Sequence, residues 1–267
     1  MSQICMENEI QIDGIRVVYD KKQYAIAECN SIKNNLMIDY VKYPRFIMRK
    51  ILLNRLNYIT IRILHGCLAA CSINNLPETR TLISEKNLMK LCLRLNINRQ
   101  YSKKNKKIFS EIIRFVSQSG YIDIIKYSNG PTSKVYYGLF SLNDKPNDTF
   151  YKVPFPLIDN IKTKSPFIVK LVMWMCINST KLNRKDGISY ERSVSLSEFQ
   201  NSFIETKNLI SSDFILLLKT KIKKLANINI IRIAEIRKEK LIIGWSFPND
   251  LLNNKLIKSD KVINLLE

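Results

Sequence analysis

The sequence predicts an α+β fold in which one small module, three helices followed by a β-hairpin, occurs twice in tandem. Three observations carry this expectation. Serine-marked helix starts precede an amphipathic helix in each half, an apolar strand pair follows each of those helices, and a polar segment, Asn143 to Asp148, separates the two halves. With 267 residues, 46% of them hydrophobic, the chain is long enough for two domains of ordinary size, each with its own core.

The first forty residues read as short strands at Glu9 to Asp13, Ile15 to Tyr19 and Gln23 to Ala27, separated by Asp13-Gly14 and Asp20-Lys21-Lys22. They form an N-terminal appendage over residues 1–43. From Pro44 to Ile73 helix is favoured in two pieces broken near Asn57, with Ile59, Ile61, Ile63, Leu64, Leu68 and Cys71 as apolar positions. Ser84 then caps a helix carrying Leu88, Met89, Leu91, Cys92 and Leu93 that ends near Asn96. The connection Ile97 to Tyr101 leads into a third helix, Lys103 to Gln118, stopped by Ser119-Gly120. Tyr121 to Ile125 is a strand, Ser128 to Pro131 a turn, and Lys134 to Phe140 the returning strand. Helix, helix, helix, hairpin is the order of a winged helix, placed here at residues 44–142.

After a linker at 143–149 the pattern returns over residues 150–250. Ser165-Pro166 opens an apolar helix from Phe167 to Asn178, with proline tolerated in the first turn because its missing N–H is not needed there. A basic polar loop, Lys181 to Arg192, follows. Ser195 with Glu198, or Ser197 with Gln200, offers a capping box for a second helix. A third runs from about Ser212 to Ala226, and strands Ile228 to Glu235 and Leu241 to Phe247 face each other across Ile236 to Lys240. Residues 251–267 form a C-terminal tail.

Lys and Arg total 43 against 23 Asp and Glu, a net charge of +20, which points to a polyanionic partner. The chain is also rich in Ile, Asn and Lys, so AT-rich codon usage is an alternative source of the lysines. Where the charge falls bears on the choice. On a helical wheel, Phe214, Ile215, Leu218, Ile222 and Leu225 share one face of the Ser212 to Ala226 helix. Lys219, Thr220, Lys223 and Lys224 take the opposite face, Lys221 the boundary, and Leu216 also lies outward. This is the pattern of a recognition helix docked by its apolar side, with a solvated lysine face as the alternative. In the first module Lys103, Lys107, Ser110 and Arg114 lie away from Ile108, Phe109, Ile112, Ile113 and Val116. Arg114 suits a bidentate grip on guanine, while Glu111 on the flank opposes close phosphate contact, so this helix ranks second. Lys126 and Lys134 mark the first hairpin, Arg237, Lys238 and Lys240 the second. Such cations hold phosphates or enter the adjacent minor groove, or simply decorate a hairpin tip.

Other chemistries find little support in the residue inventory. There is no GxxxxGK[ST] segment, and the glycines are scattered. His65 is the only histidine and lies in an apolar helical stretch, so it reads as a buried structural residue rather than a ligand or a general base. Cys5, Cys29, Cys67, Cys71, Cys92 and Cys176 lack CxxC spacing, and Asp144 and Asp148 sit in the linker. Neither an enzyme, a cofactor nor a metal site is expected. The N-terminal stretch MSQICMENEI does not resemble a secretory signal, and Phe167 to Ile177 is about half the length that spans a bilayer. A cytoplasmic protein with reduced thiols and no membrane association is expected.

The order of motifs resembles the plasmid replication initiator family whose members carry two winged-helix domains. FYKVPFPLIDNI resembles that family's leading segment, PFIVKLVMWM its scaffold helix, SVSLSEFQNSF its capped second helix, and SSDFILLLKTKIKKLANINIIRIAEI its recognition helix running into the first wing strand. The likeness covers about residues 58 to 247. Residues before Lys42 have no counterpart, the loop Lys181 to Arg192 lacks the family's compact Arg-Leu-Tyr grouping, and lysine stands where members often carry arginine. The resemblance implies binding without chemistry: Lys219, Thr220 and Lys223 in a major groove, repeated origin sites in double-stranded DNA, host helicase and other replication proteins as partners, and a homodimer that represses its own gene. A transcriptional regulator built from the same modules is the alternative within DNA binding. A structural or host-interaction protein is the alternative of another class.

Overall fold

A computed structural model describes residues 8–12, 15–19, 24–26, 40–73, 80–93, 103–128, 135–142, 150–154, 158, 161, 164–179 and 190–247. Over them the chain is mixed α+β with small sheets. It divides into two compact units, Met1–Pro44 with Ile59–Asp148, and Arg45–Tyr58 with Thr149–Glu267. The expected linker Asn143 to Asp148, the connection Ile97 to Tyr101, most of the loop Lys181 to Arg192, and the 251–267 tail lie outside the described residues.

In the first unit, β1 (Asn8–Ile12) and β2 (Ile15–Tyr19) pair antiparallel, from Asn8 opposite Tyr19 to Ile12 opposite Ile15. Then come β3 (Tyr24–Ile26), β4 (Tyr40–Pro44), α2 (Tyr58–Ile73), β5 (Arg80–Ser84), α3 (Glu85–Leu93), α4 (Lys103–Gln118), β6 (Ile122–Ser128) and β7 (Val135–Ser141). The label α1 belongs to Arg45–Leu53, in the second unit. A four-stranded sheet runs β3-β5-β7-β6, with β3 parallel to β5 and the other pairs antiparallel. The N-terminal segment expected as an appendage therefore supplies a sheet strand. Its three-residue length gives little alternation from which to infer a partner.

Helix α2 buries Ile61, Ile63, Leu64, Cys67 and Leu68, so it is covered on most sides; Ile59, expected inside, is exposed. Gly66 lets α3 approach closely: a Cβ there would lie 2.6 Å from the Cys92 Cα and 2.7 Å from its backbone N. His65 is buried, as its apolar surroundings implied, with Nδ1 2.6 Å from the Tyr43 hydroxyl and the two rings stacked. The Ser84 hydroxyl accepts from the Asn87 N–H at 3.4 Å, the cap expected at the start of α3.

The second unit contains α1, β8 (Phe150–Pro154), α5 (Pro166–Ile177), β9 (Tyr190–Ser195), α6 (Leu196–Asn201), α7 (Ser211–Asn227), β10 (Ile231–Arg237) and β11 (Lys240–Trp245). Helix α1 was expected within residues 44–142 but groups with this later sequence. The reason is a set of long-range bonds: the Leu52 carbonyl accepts from Ile204 N–H at 3.2 Å, and the Asn54 carbonyl accepts from Lys170 Nζ at 2.7 Å. Helix α5 begins with proline in its first turn and buries ten residues in succession, including Lys170. Around it Trp174 meets Phe199 edge-on, and Phe167 meets Phe203 likewise. Of the two capping boxes foreseen, Ser195 accepts from the Glu198 N–H at 3.2 Å.

Strand β9 covers residues expected as loop and helix start. Its sequence, YERSVS, buries only Val194, so the alternation that betrays a strand is too weak to see. It pairs antiparallel with β11, giving the order β10-β11-β9. Both units thus repeat one plan: helix, strand, two helices, hairpin, with the early strand paired to the last one.

Candidate nucleic-acid interface

Helix α7 is the strongest candidate surface. Its apolar residues Phe214, Leu218, Ile222, Leu225 and Ala226 are buried, and Ile215 is half-buried. Thr220, Lys223 and Lys224 are exposed, and Lys219 and Lys221 are half-exposed. At about 100° per residue, Leu216, Thr220, Lys223 and Asn227 fall within an outward sector of about 60°. Asn227 is exposed there, a position the wheel could have revealed had the helix been extended by one residue. Thr220 donates its hydroxyl hydrogen to the Leu216 carbonyl at 2.9 Å. It therefore offers the outside a methyl group and an acceptor oxygen, with no free donor.

The angle at which α7 meets its hairpin is set by a left-handed cap. Asn229 has φ 59°, its N–H donates to the Ala226 carbonyl at 2.9 Å, and Ile230 N–H reaches the Leu225 carbonyl at 3.0 Å. This is the pairing of a Schellman motif, and its apolar clasp, Ile230 with Leu225, is buried. The first unit builds the same device with Gly120 at φ 66°: Gly120 N–H to the Ser117 carbonyl, and Tyr121 N–H to the Val116 carbonyl. Asparagine is the non-glycine residue that best tolerates this conformation, so one cap was legible from Ser119-Gly120 and its twin was disguised.

The second hairpin is tighter than expected. Arg237 pairs with Lys240, leaving a turn of only Lys238 and Glu239, at φ 45° and 61°. Two left-handed central residues define a type I′ turn, which asparagine-glycine serves best. Arg237 lies on β10 and Lys240 on β11, rather than in the broad Ile236 to Lys240 connection predicted. All three cations are exposed. Arg237 forms an ion pair with Glu235 on the same strand, and Glu239 sits between the two lysines. The hairpin thus sets four cations, Arg232 with Arg237, Lys238 and Lys240, against two carboxylates, whereas α7 sets Lys219, Lys221, Lys223 and Lys224 against Asp213 alone. The helix is the stronger anion-attracting element.

Replacing Lys238-Glu239 with Asn-Gly should stabilise this unit by about 1 kcal/mol by removing left-handed strain from two side-chain-bearing residues. The expected readout is a higher urea midpoint with an unchanged slope. A lower midpoint would show that the native side chains contribute more than their backbone strain costs.

In the first unit α4 buries Phe109, Ile113 and Val116, while Lys107, Ser110, Glu111 and Arg114 are exposed. The Lys103 side chain and all of Lys134 lie outside the described residues; Lys126 is exposed on β6. Ser110 is exposed, and the Tyr137 phenol near it donates to Glu85 Oε1 at 3.4 Å. Burial and the neighbouring Glu85 hold that phenol above its usual range.

The Cys67 thiol is pushed up by the neighbouring Cys92 thiol and by burial, and burial does the same for Cys71 and Cys176. Among the described residues no group of three or more His, Cys, Asp and Glu side chains could hold a metal ion. No helix there is long and apolar enough to cross a membrane. The chain matches no protein-family model and no curated protein.

Proposed function

We propose that this chain is a sequence-specific double-stranded DNA-binding protein built from two tandem winged-helix modules, acting in the cytoplasm without catalysing a reaction. The observation that carries the reading is α7: a helix anchored by a buried apolar face, presenting lysines outward, held by a left-handed cap against a short basic hairpin. In a winged helix the corresponding element lies in the major groove and the hairpin lies beside it. The early strand paired to the last strand, present in both units, is consistent with that architecture. Lys219, Lys223 and Lys224 then grip phosphates, Thr220 faces base edges, and Arg237, Lys238 and Lys240 set register on the flanking backbone. In the first module Lys103, Lys107, Ser110 and Arg114 make the secondary contacts.

The motif resemblance extends this reading to a plasmid replication initiator. It binds repeated origin sites, recruits host helicase and other replication proteins, and represses its own gene as a homodimer. The test is a gel-shift titration of the full chain on the DNA flanking its gene, across a range of salt. Binding should be saturable and stronger for directly repeated segments than for shuffled sequence, and log affinity should fall linearly with log salt. Equal binding to shuffled DNA would remove the sequence-specific reading, and no binding would remove DNA binding altogether. A single inverted site in place of direct repeats would favour a transcriptional regulator.

A further inference from the structure

The lysine face of α7 contains an apolar side chain that the core does not use. Leu216 is 66% exposed, although its helix has buried positions on the opposite side. On the same outward sector, four residues further on, stands Thr220, whose hydroxyl donor is spent on the Leu216 carbonyl. Ser212 lies one turn before and Lys223 two turns after, with Lys219 beside them. The N-terminal half of the outward face is therefore short and partly apolar, with the exposed Asp213 on its flank as its one charge, while the lysines gather toward its C-terminal half.

We infer that Leu216, with the Thr220 methyl beside it, reads the C5-methyl groups of thymine in the major groove. This assignment rests on α7 being the element that enters DNA. The thymine methyl is the apolar feature of base edges in that groove, and apolar side chains are what recognise it. Charge complementarity selects the occupant: Lys219, Lys223 and Lys224 draw a polyanion to the face on which Leu216 stands. A second copy is the poorer occupant, because a two-fold contact through Leu216 would bring both sets of lysines together. The arrangement assigns specificity to the first half of the helix and backbone affinity to the second.

The test uses the full chain and a duplex enriched from a random-sequence pool by binding to it. Each thymine of that duplex is then replaced singly by deoxyuridine, which pairs identically and lacks only the methyl group. At one or two positions affinity should fall by about three- to five-fold. Leu216→Ala should bind the thymine duplex more weakly by a similar factor and be indifferent to deoxyuridine at those positions. Insensitivity of the native chain at every position, or retained sensitivity in Leu216→Ala, would overturn the assignment. So would a Leu216→Ala protein that loses self-association while keeping its thymine preference. Failure to enrich any duplex is a different result: it removes α7 as a reader of sequence, and the thymine assignment falls with it.

Discussion

Replacing Lys170 with alanine is expected to destabilise the second unit by about 3–5 kcal/mol, the largest effect of any single substitution considered. Lys170 is fully buried within α5, ion-paired to Glu205 and donating to the Asn54 carbonyl at 2.7 Å. It joins the helix to the end of α1 and to the segment after α6. Burial pulls its ammonium below the ordinary lysine range, and the Glu205 carboxylate works against that pull. The alanine variant loses the cation and leaves the Glu205 carboxylate without its counter-charge. Its Oε2 is already buried without a hydrogen bond among the described residues. A carboxylate stranded in this way is what makes the loss large.

The measurement is convenient because both tryptophans, Trp174 and Trp245, lie in the second unit, so their fluorescence reports its unfolding alone. In urea the midpoint should fall by about 2 M for Lys170→Ala at an ordinary slope. A double variant, Lys170→Met with Glu205→Leu, should recover much of that loss, because replacing an entire buried pair by apolar groups costs far less than removing one partner. If the double variant is as unstable as Lys170→Ala, the cost arises from the lost bond to the Asn54 carbonyl rather than from the stranded charge.

Lys170 also shows where sequence reading stops. The run from Phe167 to Ile177 identifies a buried helix, and a lysine inside it signals that a partner must exist. Nothing local names Glu205 or Asn54, which lie 35 and 116 residues away. The same limit misplaced α1, whose attachment to the second unit depends on those distant bonds. Elements with strong periodicity or local caps were legible: the buried face of α7, the Ser84 and Ser195 caps, and the Ser119-Gly120 stop. Strand β9 was not, since YERSVS buries one residue and obtains its strand identity from pairing with β11. In the candidate interface, the lysine positions followed from the wheel, whereas the Glu235 partner of Arg237 depended on same-strand geometry. Residue type and spacing locate a charged face; contacts decide which of its members are free.

That distinction shapes the second large effect. Lys219→Ala with Lys223→Ala should weaken binding to the enriched duplex by about 30-fold near physiological salt, if each lysine neutralises one phosphate. The slope of log affinity against log salt should become shallower by about 2, since each lost contact leaves one condensed counterion unreleased. Folding should change little, because Lys223 is exposed, Lys219 is half-exposed, and alanine is the best helix former. Lys103→Ala with Lys107→Ala should cost less, since Glu111 shares the exposed face of α4. The paired comparison separates the two modules in a way that total charge cannot: both double variants remove two positive charges, so a purely diffuse attraction predicts equal losses. Unequal losses with a parallel change in salt slope would locate the phosphate contacts on α7. Equal losses would mean that both helices engage the backbone alike, and the ranking of α7 over α4 would fall.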